Sequence, residues 1–121
     1  MAEHYSSFDR GGRLWLVQRL TAVFLIGVLA FHFVLLHFVN HAAEITFMGT
    51  QARMSQFGYL ATMWLFLVTA TFHGVNGVYN ALVNMGLSGS RKRAVGAVLA
   101  VAAVALVVQG TRVALAMTNL L

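Results

Sequence analysis

Three apolar blocks, roughly Leu14 to Val39, Phe57 to Val83 and Ala94 to Met117, leave this chain few folds to choose from. A run of ~20 apolar residues crosses the ~30 Å hydrocarbon core of a bilayer as a helix. Lipid offers the backbone no hydrogen bonds, so such a segment must satisfy its own amides. Three spans are therefore predicted, forming a single all-α membrane domain over residues 1–121. Composition agrees. The chain is 60% hydrophobic and 9% charged, too little charge to cover a soluble domain of this size. With no cysteine it can supply neither an iron–sulfur cluster nor a thiol nucleophile. The net charge of +5 comes from basic residues at span ends, not from a phosphate-binding stripe. The first apolar run is too long for a cleavable leader and lacks a small-residue cleavage site.

Between the blocks the chain is short and polar. Residues 1–13 read as an arm ending at the breaker Gly11-Gly12. Its His4, Tyr5, Ser6, Ser7 and Asp9 are placed to meet a peripheral protein. Asn40 to Gln56 forms the first connection, and Asn84 to Ser90 a tight loop before Arg91-Lys92-Arg93. Trp15 suits an interfacial anchor, and the Ala, Val and Gly of the third block suit close helix packing. Arg10, Arg13 and Arg19 stand with the basic run on one side of the membrane, which the positive-inside rule makes cytoplasmic. The expected location is the cell membrane, multi-pass, with a cytoplasmic N-terminus.

The second block carries the chemistry. His73 lies about 11 residues inside it, roughly 16 Å along a helix. An ionisable group at that depth normally faces the bundle interior. A neutral imidazole there either hydrogen-bonds a neighbouring helix or serves as an axial ligand of haem iron. Thr69, Asn76, Gly77 and Asn80 share its face. Gly77 would let a flat macrocycle lie against the helix or would serve close packing. In the first block, His32 is the candidate for a second haem ligand, roughly 27 Å from Leu14 and so at another depth than His73. His37 stands in reserve. His37 and His41, four residues apart, read as interfacial histidines. Arg19 either snorkels to lipid phosphate or pairs with a haem propionate. Arg112, with Gln109, reads as an anchor at the outer face.

These residues carry a resemblance. Trp15-x-x-Gln18-Arg19-x-Thr21-Ala22, followed by Phe72-His73-x-x-x-Gly77 in the second of three spans, resembles the membrane-anchor subunits of succinate dehydrogenase, and among them the archaeal-like, cytochrome b-type anchors. The resemblance covers nearly the whole chain. It implies half of a haem b bundle shared with a second three-span anchor of cytochrome b556-like kind. That bundle would hold an iron–sulfur subunit and a flavoprotein subunit on the cytoplasmic face. Electrons from succinate would pass to membrane quinone. It implies His73 as a haem ligand, Arg19 near the propionates and quinone, and His32 as ligand of an outer haem where two are present. Many members follow the histidine with an Asp-Tyr pair whose tyrosine faces the quinone. Here Asn84 and Met85 stand in those places, leaving Tyr79 or the partner anchor to contribute.

The sequence thus predicts a non-catalytic anchor of succinate dehydrogenase that binds haem b. The rivals are a fumarate reductase anchor, a haem-free structural anchor or assembly subunit, and a small transporter or proton relay. The last lacks an intramembrane carboxylate, since Glu3, Asp9 and Glu44 all lie outside the blocks.

Overall fold

The structure, a computed structural model, describes residues 10–118. Residues 1–9 of the expected arm, with His4, Tyr5, Ser6, Ser7 and Asp9, lie outside them, and its residues 10–13 are part of the first helix. Helix α1 runs Arg10–Val34 and continues as a π-helical turn over Leu35–Val39. A 3-10 turn at Ala42–Glu44 leads to the short α2, Phe47–Met54. Then come α3, Phe57–Asn84, and α4, Gly89–Ala116. Among the described residues there is no strand. Gly11–Val39, α3 and α4 are each long and apolar enough to cross a membrane.

The three spans stand where the sequence puts them, but their edges differ. The Gly11-Gly12 pair does not break the chain, and α1 runs through it. Glycine weakens a helix by only about 1 kcal/mol per residue, and the helix that follows tolerates this. The basic run Arg91-Lys92-Arg93 is the first turn of α4 and not a loop before it. The first connection holds α2, started by Thr46, whose hydroxyl accepts from the Gly49 amide at 3.1 Å. The α3–α4 turn is a Schellman motif. Leu87 N–H bonds Leu82 O and Gly86 N–H bonds Val83 O, both at 3.0 Å. Gly86 has φ 99°, a conformation that glycine adopts without strain.

Helix α3 is the middle of the bundle, packed against α1 on one side and α4 on the other. Small residues set the α3–α4 approach. A Cβ on Gly110 would sit 2.5 Å from Leu67 Cδ2, so only glycine admits that leucine. Beside it Trp64 Nε1–H donates to Thr111 Oγ1 at 3.0 Å. Among the described residues only Val28, Met54 and Thr118 are buried, while large apolar side chains along all three spans are exposed. Such a surface is stable against lipid or against another apolar subunit, not against water.

Candidate functional site

Antiparallel packing brings α1 and α3 into register. Thr21 is eleven residues from the start of α1 at Arg10, and His73 is eleven residues from the end of α3 at Asn84. At 1.5 Å per residue both lie about 16 Å from the same membrane face. They meet there. Thr21 Oγ1 and His73 Nδ1 are 3.1 Å apart.

The hydrogen-bond pattern accommodates the imidazole tautomer that leaves Nε2 free. A hydroxyl has one proton, and Thr21 gives it to the Gln18 carbonyl at 2.9 Å. A carbonyl can only accept. The hydroxyl can instead turn to Nδ1, so the contact serves either tautomer; with its proton directed at the carbonyl, it accepts from His73 Nδ1–H. Nε2 is then left as a bare lone pair on a half-buried ring. This is the state in which an imidazole ligates a metal, its other nitrogen donating to a neighbour that orients it.

Gln18 ties the same site to the backbone. Its Nε2 donates to the His73 carbonyl at 3.0 Å, and its Oε1 accepts from Asn76 Nδ2 at 2.8 Å. Gly77 makes the first bond reachable. In a helix the His73 carbonyl already accepts from residue 77, and a side chain there would crowd the second lone pair. A Cβ on Gly77 would lie 3.3 Å from Gln18 Nε2. The space the sequence assigns to a macrocycle over Gly77 is filled by the Gln18 amide. Gly74, next to His73, has nothing within 4 Å of its Cβ position. Gln18 and Thr21 belong to the first-span motif, yet nothing in their spacing says they would join His73 and Asn76. That pairing depends on the register of two helices whose paired residues stand more than fifty positions apart.

The other candidates stand apart. Arg19 is two positions from Thr21, about 200° around α1, and is exposed. Its guanidinium stacks over the Trp15 ring with Cζ 4.3 Å from the centroid. Stacking uses the guanidinium face and leaves the in-plane N–H donors for an anion. His32 lies eleven residues beyond Thr21, about 16 Å farther along α1. Its Nδ1 is buried and has no hydrogen-bond partner. His37 differs. Its Nδ1–H donates to the Phe33 carbonyl at 3.1 Å, and its ring stacks on Phe33 with centroids 4.4 Å apart. A carbonyl cannot donate, so His37 Nε2 is also a bare lone pair, on an exposed side chain. It sits in the π-helical turn, where Asn40 N–H reaches back five residues to Leu35 O at 3.0 Å. Such turns recur at functional sites. The described residues contain no group of three or more metal-binding side chains. Single histidines such as these would suit haem iron, which can take an individual imidazole as a ligand. His73 fits such a group through its free Nε2 and its supported Nδ1–H.

The profile of one family matches residues 2–109, nine-tenths of the chain: succinate dehydrogenase/fumarate reductase transmembrane subunit. The chain belongs to that family. No curated protein and no solved structure matches it. Membership makes this anchor a multi-pass membrane subunit of a succinate dehydrogenase or fumarate reductase complex, with partner subunits. The broad exposed apolar surface of the anchor is what such a subunit offers to lipid and to neighbours.

Proposed function

We propose that this anchor belongs to a succinate dehydrogenase, binds haem b through His73 and helps pass electrons from an iron–sulfur subunit to membrane quinone. One observation carries the reading: Thr21 Oγ1 stands 3.1 Å from His73 Nδ1 within a span, placed to hold Nδ1–H and leave Nε2 bare. The haem, when bound, supplies a one-electron carrier inside the membrane. The chain's own residues do the rest. Thr21 aims the ring and keeps its proton on Nδ1. Gln18 and Asn76 fix the α3 backbone beneath it. The apolar spans exclude water, which sets the potential together with ligation. A second anchor would contribute another ligand, and a flavoprotein would complete the route from succinate. The basic first turn of α4 and the start of α1 face the cytoplasm in this reading, following the positive-inside rule. Arg19, on another face of α1 from Thr21, serves an anionic group at the membrane surface, a haem propionate included.

For an outer haem, the sequence nominates His32. The Phe33 carbonyl gives the orienting bond to His37 instead, which favours His37 as the second ligand. A haem-free structural anchor is the second reading, supported by the Gln18–His73–Asn76 bonds, which stand as helix glue by themselves. The purified complex decides. Pyridine haemochrome analysis against FAD gives at least one haem b per flavin, and His73→Ala abolishes or shifts the b-type band. A complex without a Soret band, or an unchanged His73→Ala spectrum, overturns the haem reading.

A further inference from the structure

A second feature lies where α3 packs on α4. Between α3 and α4 runs a cleft of about 670 Å³. Its walls are apolar: Phe72 and Val75 from α3 face Ala100, Ala103 and Val107 from α4. At one end stand Lys92 and Arg93, with Tyr79 beside them. No acidic residue lines the cleft, and the first turn of α4 has none. The chain's three carboxylate side chains are Glu3, Asp9 and Glu44, and Glu44 lies in the connection at the opposite membrane face. Among the described residues the two cations therefore meet no countercharge in the cleft. From Lys92 to Val107 the cleft extends about 22 Å, the depth of a headgroup region plus one leaflet of a ~30 Å core.

We propose that this cleft is a binding site for an anionic glycerophospholipid. Lys92 and Arg93 hold the phosphate, and one acyl chain lies along the Ala100–Ala103 face beneath. Charge selects the ligand. Two cations over a hydrocarbon channel, with no carboxylate beside them among the described residues, match an amphiphile with an anionic head. They do not match a neutral headgroup or an apolar helix, either of which would leave them unpaired. Juxtamembrane Lys and Arg each favour anionic lipid by a factor of roughly five. His73 meets α1 and does not line the cleft; the two places share Asn76, which lines the cleft and donates to Gln18.

The test uses the purified complex in vesicles of phosphatidylcholine doped with a phosphatidylglycerol that carries a photoactivatable diazirine on one acyl chain. Adducts are mapped by mass spectrometry. The expected adducts fall on residues 68–79 and 96–107. Excess unlabelled phosphatidylglycerol suppresses them and excess phosphatidylcholine does not. Lys92→Gln with Arg93→Gln lowers labelling at least fivefold. Ala100→Phe, which fills the channel and keeps both cations, also abolishes it. Equal competition by phosphatidylcholine overturns the proposal, as does suppression by a prenyl quinone in place of lipid. Absence of adducts in the wild-type complex, the result if a partner helix fills the cleft, overturns it as well. The wild-type competition decides even if a variant fails to assemble.

Discussion

His73 Nδ1 lies 3.1 Å from Thr21 Oγ1, and the same hydroxyl lies 2.9 Å from the Gln18 carbonyl, to which it can give its single proton. The pair does two things at once. It joins the first and second spans at a common depth, and with Nδ1–H donating to the hydroxyl it leaves Nε2 as the free lone pair on the ring. A membrane interior makes such a bond consequential, since a stray imidazole N–H there has no water to turn to.

Thr21→Val keeps the shape of the side chain and removes the acceptor. Outer-shell substitutions at metal-bound histidines typically cost about 10–100-fold in affinity. The variant complex is expected to lose part of its haem b, and the haem that remains should have a more positive midpoint potential. A histidine that no longer donates from Nδ1 is a poorer electron donor and stabilises the ferric state less. Thr21→Ser restores both properties. Redox titration of the b-type band checks the shift. A potential unchanged in Thr21→Val would mean that the hydroxyl does not tune the ligand.

Much of this was legible in the sequence. Three apolar blocks fixed three spans, because block length is read directly against bilayer thickness. Depth along a helix singled out His73 as the interior imidazole. What sits beside it was not legible. Gln18 was a polar residue near a span end, and its bonds to the His73 carbonyl and Asn76 exist only because the α1–α3 register sets it over Gly77. The π-helical turn at Leu35–Val39 was likewise hidden. It changes a hydrogen-bond ladder without changing the apolar pattern, and it separates His37 from His32 in a way that spacing could not.

Gly77 offers a test of what fills the space above it. If its role is to admit the Gln18 amide, Gly77→Ala should push that amide by a few tenths of an ångström and weaken one bond. Interhelical hydrogen bonds in membranes are worth about 0.6 kcal/mol, and at most about 1.7. The variant should assemble with a slightly lower thermal midpoint and an intact haem spectrum, and Gly77→Leu should fail. Gln18→Ala should relieve the crowding, so the double variant Gln18→Ala, Gly77→Ala is no worse than Gln18→Ala alone. Additive losses would place the Gly77 constraint elsewhere.

His32 and His37 are expected to respond in opposite ways. His32 Nδ1 is buried without a partner, so replacing the ring with Phe removes an unsatisfied polar atom. His32→Phe should keep every haem and hold or raise the thermal midpoint. His37→Ala removes the ring whose Nδ1–H is held by Phe33, and in a two-haem complex it should halve the haem-to-FAD ratio. Loss of haem in His32→Phe with retention in His37→Ala would return the outer ligand to His32.

Gly110 and Leu67 set the approach of α3 and α4. A Cβ at Gly110 would fall 2.5 Å from Leu67 Cδ2 and 2.8 Å from Cδ1, so Gly110→Ala forces the leucine to move or the helices to part. Overpacking of this kind costs about 1–3 kcal/mol. The single variant should lower the thermal midpoint of the complex. Leu67→Ala in the same chain should recover most of the loss, because it empties the space the new methyl takes. The Trp64–Thr111 bond, one turn away on the same crossing, should break in the single variant and return in the double one, which a Trp64 fluorescence shift would register. A double variant less stable than either single would mean that Leu67 is needed for more than filling the glycine notch.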